Sequence, residues 1–103
     1  MIWEPKTQVM YIPTHARGIP NHPDIEYGFV TSTKQAADCT IVWCRFWYKV
    51  EMGVEPYLRT KSCSESVSDH YLQLKHMVPS EVVEKAWRMY VEPTIVPKES
   101  DGE

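Results

Sequence analysis

Glycine is scarce in this chain, and its scarcity excludes a common class of nucleotide site. Only four glycines occur among 103 residues and none are grouped, so no glycine-rich loop can hold phosphate groups on its backbone N–H groups. The serines from Ser62 to Ser68 also lack the Gly-x-Ser-x-Gly pattern that exposes a nucleophilic serine. These absences predict that the protein is not an enzyme and that it needs no cofactor.

Paired cysteines and long apolar runs are absent as well. Cys39, Cys44 and Cys63 form an odd set with no Cys-x-x-Cys pair, which is typical of free thiols in a reducing compartment. No segment approaches the roughly 18 apolar residues of a membrane span. The segment Met1–Pro5 has neither the basic nor the apolar part of a secretion signal. We therefore expect a cytoplasmic protein.

An excess of charge of one sign is the third absence. The chain has 11 basic and 14 acidic residues, a formal net charge of −3, and three of the acids, Glu99, Asp101 and Glu103, lie in the last five residues. The part that folds is therefore close to neutral. This balance favours neither a general polyanion binder nor a strongly acidic mimic of DNA.

A tryptophan-rich strand is the most informative segment that is present. From Thr40 to Lys49 the residues alternate between two faces of a predicted strand. One face has Val42, Cys44 and Phe46, and there we expect the Cys44 thiol to be buried and inert. The other face combines aromatic and cationic side chains, namely Ile41, Trp43, Arg45, Trp47 and Lys49.

Four further short strands and one helix are predicted around this segment. The spacing favours a small antiparallel barrel or roll. A helix at about 81–91 follows from an apolar stripe that includes Val83 and Trp87, with Ser80 as its N-cap. We expect one domain over residues 1–92 and a flexible tail over 93–103. The other predicted strands are 7–12, 26–33, 57–61 and 70–75.

The aromatic and cationic face is the first candidate site. If Leu58 and Thr60 face the core, then Tyr57, Arg59 and Lys61 join Trp43, Arg45, Trp47 and Lys49 on the outside. Such a face suits contact with a protein or with a single nucleic-acid strand. The opposing interpretation is that the helix stripe buries Trp43 and Trp47, which leaves only the cations exposed. Sequence patterns alone leave both interpretations open.

A proline-rich loop is the second candidate site. It contains His15, Arg17, His22 and Asp24 between two predicted strands. Histidine and carboxylate side chains are ordinary zinc ligands, but this spacing matches no compact metal motif, and Pro20 and Pro23 also favour side chains that bond to the backbone. The loop is therefore interpreted as structural, and no metal site is predicted.

Part of the chain resembles small uncharacterised proteins encoded by bacteriophages and prophages. The resemblance lies in Tyr11-Ile12-Pro13-Thr14-His15-Ala16, in His22-Pro23-Asp24-Ile25-Glu26-Tyr27-Gly28-Phe29-Val30, and in Val42-Trp43-Cys44-Arg45-Phe46. It covers about residues 9–48, and weakly 58–74. It implies an SH3-like β-barrel, so the full expectation is a mainly β, α+β fold with a five-stranded SH3-like barrel and one C-terminal helix.

The resemblance also implies a function by analogy. Phage proteins of this size often bind and block a host macromolecule, including a component of a defence system. We therefore expect a non-enzymatic inhibitor of a host protein, in the host cytoplasm and either monomeric or homodimeric. Two alternatives remain open, namely a nucleic-acid-binding module on the same face and capture of a small anionic nucleotide.

Overall fold

Five antiparallel strands form one sheet in the computed structural model, which describes residues 3–48 and 50–95. The strand order is β4-β3-β2-β1-β5. The first four strands form a meander, and β5 returns to the far side of the sheet to pair with β1. The strands are β1 (Gln8–Tyr11), β2 (Glu26–Gln35), β3 (Thr40–Phe46), β4 (Glu65–Ser68) and β5 (Leu72–Leu74).

The sheet is open, with β4 and β5 at its two edges. The predicted mainly β fold of five antiparallel strands with a C-terminal helix is confirmed at this level. Closure into a barrel requires the two edge strands to pair with each other, and no such pairing is seen in the described part of the chain.

The central pair of strands requires a glycine at one position. Gly28 in β2 lies opposite Phe46 in β3, and a Cβ atom added there would lie 2.1 Å from the backbone oxygen of Arg45. A glycine inside a strand is typical of a bulge or of a close backbone approach, and at Gly28 it is the close approach that is found. The irregularity in the β2–β3 register lies further along, between Val30 and Ser32.

The fourth predicted strand is misplaced. Residues 57–61 make only one isolated bridge, between Leu58 and Trp47, while β4 lies in the serine-rich segment that follows, outside all of the predicted strands. Both segments lie along β3, because Arg59 N–H bonds to Phe46 O and the Glu65–Ser68 strand pairs with Ile41–Cys44. Hydrogen bonding to a neighbouring strand has overridden the low β-propensity of serine.

The C-terminal helix begins at Ser80 and extends beyond its predicted end. It consists of α1 (Ser80–Ala86), a π-helical turn (Trp87–Val91) and α2 (Glu92–Ile95). The wide turn ends two residues before Pro93, which lacks an N–H and would crowd the carbonyl four residues earlier in a regular helix. Pro79, rather than Ser80, occupies the N-cap position, and it makes no side-chain cap bond.

Two apolar cores lie on opposite faces of the sheet, so the predicted alternation of β3 is confirmed. Val42, Cys44 and Phe46 belong to one core, and Trp47 belongs to the other, where the helix packs. The prediction that Leu58 joins the first core is wrong, since its bridge to Trp47 places it on the helix side. The helix-side core consists of Phe29, Trp47, Leu58, Val78, Val83, Ala86 and Val91.

Among the described residues, no helix is both long enough and apolar enough to cross a membrane. Of the predicted tail, Pro93–Ile95 is helical, and residues 96–103 lie outside the described part of the chain.

Candidate functional site

Two residues of the first candidate site are buried. Trp47 is 3% exposed and Arg45 is 2% exposed, so the prediction that Arg45 stays on the surface is wrong. Trp43 is half-buried and lines the same shallow pocket as Arg45 and Val91. Lys49 lies outside the described residues. The predicted aromatic and cationic face therefore does not exist as one exposed surface.

Arg45 is buried because its side chain fills the loop of residues 60–64. This loop joins the 57–61 segment to β4, and both of these lie along β3. Its Nη1 donates to the carbonyl oxygens of Thr60 at 3.1 Å and of Lys61 at 2.7 Å, and its Nε donates to Ser64 Oγ at 3.0 Å. A guanidinium offers several N–H donors in a fixed planar arrangement, which suits a turn of backbone carbonyls. Arg45 therefore holds residues 60–64 in place.

Trp47 is buried because the helix covers it. Its ring lies 5.6 Å from that of Phe29, and Val83 and Ala86 belong to the same core. Among the described residues, no acceptor bonds to the indole Nε1 of Trp47, although this atom is inaccessible to solvent. The interpretation in which the helix stripe buries the tryptophan is therefore confirmed for Trp47.

Arg59 and Lys61 are exposed, but the charge of Arg59 is balanced locally. Its guanidinium donates to both carboxylate oxygens of Glu65, at 3.1 and 3.0 Å, and to Glu26 Oε1 at 3.1 and 2.9 Å. The hydrogen bonds to Glu65 and then to Glu26 raise the pKa of Arg59 above its ordinary value. Two carboxylates surround one cation, so the positive charge of Arg59 is fully compensated within this group.

Exposed apolar side chains concentrate around one loop. Of the seven large apolar residues that are exposed in the described chain, five lie between residues 48 and 57 or on the helix beside them. The rings of Tyr48 and Tyr57 stack with centroids 5.4 Å apart at an interplanar angle of 18°, and each residue is about half exposed. We name this group the Tyr–Met surface, which consists of Tyr48, Met52, Val54, Tyr57 and Met89.

A shallow groove connects the loop side of this surface with the helix. Its volume is about 240 Å³, and its walls include Tyr57, Leu58, Met89 and Tyr90. Lys85 Nζ and Glu55 Oε2, 3.4 Å apart, form an ion pair at its rim. The groove is therefore apolar within and electrically balanced at this pair.

A second, more polar cleft of about 510 Å³ is lined in part by Trp47 and Tyr48. Its walls include His15, Asp24, Glu26 and Arg59, so it joins the second candidate loop to the first candidate site. His15 Nε2 lies 2.6 Å from Asp24 Oδ2. This hydrogen bond holds the pKa of Asp24 below its ordinary value; it outweighs the opposing effect of desolvation, and the charges of His15 and then His22 add smaller contributions in the same direction as the bond.

The structure brings together three of the four loop residues predicted as the second choice. Asp24 N–H donates to His22 Nδ1 at 3.0 Å, and the rings of His15 and His22 lie 5.2 Å apart. The guanidinium of Arg17 lies instead over the ring of Tyr71, at 5.9 Å from its centroid. The loop therefore has the side-chain-to-backbone bond that the structural interpretation anticipated, together with a compact cluster of donors.

The thiol of Cys44 is inaccessible. Cys44 is fully buried, as predicted, and burial, with a smaller contribution from Glu65, raises its pKa to about 12. A thiol in this state is neither a nucleophile nor a metal ligand at neutral pH.

Sequence reasoning missed Tyr48, Met52, Val54 and Met89. A usable signal existed in the loop, because Met52 and Val54 flank Gly53 in a segment that contains a proline and no strand periodicity. Apolar residues in such a segment have no core to enter, so their exposure was predictable in principle.

Comparison of the chain with protein-family models, curated proteins and solved structures found no match.

Proposed function

We propose that this protein is a non-catalytic binding protein, and that the Tyr–Met surface binds another protein. The observation that carries the proposal is the concentration of five exposed apolar side chains around one loop and the adjoining helix. Scattered apolar residues are normal on a protein surface, whereas a group of them beside a groove is typical of an interaction site.

The residue types support a protein partner. Tyrosine and methionine are enriched at protein interfaces, tyrosine because it offers a large rigid ring and methionine because its flexible thioether adapts to a partner. The stacked pair of Tyr48 and Tyr57 is already ordered by its own contact, so binding would immobilise little additional side-chain freedom.

The local charges disfavour the nucleic-acid alternative. Arg45 is buried, and Arg59 is bonded to two carboxylates, so neither is free to neutralise a phosphate. The acidic residues beside the cleft would repel a polyanion. They favour a partner whose apolar contact region has a neutral or basic rim. Capture of a small anionic nucleotide is disfavoured for the same reason.

Within this proposal, the partner is a macromolecule of a bacterial host that the protein binds stoichiometrically and inhibits. The support for this narrower step is the resemblance of residues 9–48 to phage-encoded proteins together with the small size of the chain. An SH3-like arrangement of the five strands belongs to the same narrower proposal, with the same support.

Affinity capture with matched surface variants tests the proposal. Tagged wild type, Tyr57→Asp, Met89→Asp and Leu74→Asp are each incubated with bacterial lysate, and the bound proteins are quantified by mass spectrometry. Leu74 is the matched control, because its exposure of 57% is close to the 56% of Met89 and it lies on the edge strand β5. We expect one protein to be retained by wild type and Leu74→Asp and lost from the other two.

Salt distinguishes the classes of partner. Capture of a protein through apolar contacts should change little between about 50 mM and about 500 mM salt, whereas binding to phosphates weakens steeply. Retention of the same protein by Tyr57→Asp and Met89→Asp would contradict the proposed surface. Recovery of nuclease-sensitive material that is lost at high salt would instead favour the nucleic-acid alternative.

A further inference from the structure

We propose that His15, His22 and Asp24 form a binding site for a divalent transition-metal ion, with zinc as the best match to the donors. Each side chain offers one donor atom, and these three atoms all lie within 4.8 Å of one another. This inference is independent of the protein-binding function, because it concerns the loop rather than the Tyr–Met surface.

The fold positions the three donors before any ion binds. His15 lies in a short 3₁₀ turn (Thr14–Ala16), which is anchored by the buried Ala16 and by the bond from Ala16 N–H to Pro13 O at 2.9 Å. At the other end of the loop, Ile25 N–H donates to His22 O at 3.1 Å. The backbone between them turns at Asn21, where φ is +60°. Two separate turns therefore bring the donors to one place.

The donor types select the class of ion. Two imidazoles and one carboxylate are typical ligands of zinc and related transition metals, whereas magnesium and calcium prefer sites made of oxygen donors only. At zinc–ligand distances of about 2.0–2.1 Å, the donors of a tetrahedral site are about 3.3 Å apart. The exposed side chains of His15 and Asp24 can rotate towards the half-buried His22 to reach that spacing.

Two hydrogen bonds would have to be exchanged for metal bonds. The ion would separate His15 Nε2 from Asp24 Oδ2, now 2.6 Å apart, and would take the place of the proton between them. His22 Nδ1 now accepts the N–H of Asp24. Binding through Nδ1 replaces that bond, and binding through Nε2 requires the proton to move to Nδ1, which breaks it as well. Affinity should therefore be moderate.

Three protein ligands leave coordination positions open to water. His15 and Asp24 line the polar cleft, so the open positions would be accessible from solvent. An ion with three side-chain ligands and bound water is the arrangement found in exchangeable and catalytic zinc sites rather than in closed structural ones.

Another histidine–aspartate pair supplies an internal control. His70 Nε2 lies 4.0 Å from Asp69 Oδ1, and His70 is as exposed as His15. It belongs to no group of three donors among the described residues. If a metal needs only one exposed pair, both places should bind it; if it needs the third donor, only the loop should.

Metal titration tests the proposal. A tag-free chain, stripped of metal and bearing Cys63→Ser to remove an exposed thiol, is titrated with zinc by calorimetry and with cobalt by visible absorption. We expect one ion per chain, and a cobalt spectrum of nitrogen and oxygen ligation. His15→Ala, His22→Ala and Asp24→Asn should each weaken binding at least about tenfold, while His70→Ala should bind as the parent does.

Circular dichroism of each variant separates loss of the site from loss of the fold, and His22→Gln provides a milder replacement if His22→Ala unfolds. The proposal is overturned if the parent binds no zinc or cobalt at millimolar concentration. It is also overturned if the three loop variants bind as tightly as the parent, or if His70→Ala weakens binding as much as they do.

Discussion

Arg45 and Thr60 are joined by a hydrogen bond, and the residue after Arg45 makes a second hydrogen bond to Thr60. Arg45 Nη1 donates to Thr60 O at 3.1 Å, and the N–H of Phe46, the next residue, donates to Thr60 Oγ1 at 2.9 Å. Arg45 and Thr60 are both buried. This contact holds the irregular loop against β3 where regular strand pairing is interrupted.

Replacement of Arg45 should therefore destabilise the fold rather than only weaken binding. Arg45→Ala leaves buried backbone carbonyls without donors, and we expect the free energy of unfolding to fall by about 2–4 kcal/mol. Urea denaturation measures the change. Lys61→Ala, at an exposed neighbouring position, should change stability by less than about 0.5 kcal/mol. Equal effects of the two variants would show that Arg45 has no structural role.

Gly28 should tolerate no side chain. A Cβ atom there would lie 2.1 Å from Arg45 O and 2.9 Å from Phe46 Cα, both of which are backbone atoms of the neighbouring strand β3. We expect Gly28→Ala to cost about 3 kcal/mol or more, because the two central strands must move apart. Thermal unfolding provides the measurement.

Gly53→Ala is the control for Gly28→Ala. Gly53 has φ of +82° and open space around it, so alanine there meets only the backbone cost of the left-handed conformation, about 1–2 kcal/mol. A smaller loss of stability in Gly28→Ala than in Gly53→Ala would contradict the close approach of β2 and β3.

Periodicity predicted the central part of this fold because local pattern and tertiary packing agree there. The alternation of Val42, Cys44 and Phe46 with Trp43 and Trp47 was readable from the sequence, and so was the apolar stripe of the helix. These side chains bury large apolar areas, because both faces of the sheet and one face of the helix pack into apolar cores.

The errors arise where a long-range contact decides the outcome. Nothing in the sequence around Arg45 indicates that residues 60–64 will fold over it and supply carbonyl acceptors, so its cationic character suggested exposure. Ser66 and Ser68 have little intrinsic preference for strands, and they form part of β4 only because this segment pairs with β3. The cluster of His15, His22 and Asp24 depends on two turns whose relative orientation no spacing rule specifies.

Trp47 should be replaceable by phenylalanine at low cost. Its indole Nε1 is buried without a partner among the described residues, and an unsatisfied buried donor lowers stability by about 1–3 kcal/mol. Trp47→Phe removes this donor and keeps a ring against Phe29, so we expect a loss below about 1.5 kcal/mol. Trp47→Ala should cost about 3–5 kcal/mol because it leaves a cavity. Denaturant unfolding of both variants checks the difference, and a loss in Trp47→Phe as large as that in Trp47→Ala would contradict the expected low cost of removing the unpaired donor.

The three cysteines should differ sharply in reactivity. Cys63 is exposed, Cys39 is half-buried and Cys44 is fully buried, and a thiolate is the reactive form. Iodoacetamide followed by peptide mass spectrometry should therefore find Cys63 modified first, Cys39 more slowly, and Cys44 unmodified in the folded protein. Raising the pH to about 9 should not make Cys44 reactive, because its pKa of about 12 keeps the thiol protonated well beyond that pH. Its modification should begin only when urea unfolds the chain. Labelling of Cys44 at the rate of Cys63 without denaturant would mean that the core between Val42 and Phe46 opens readily to solvent.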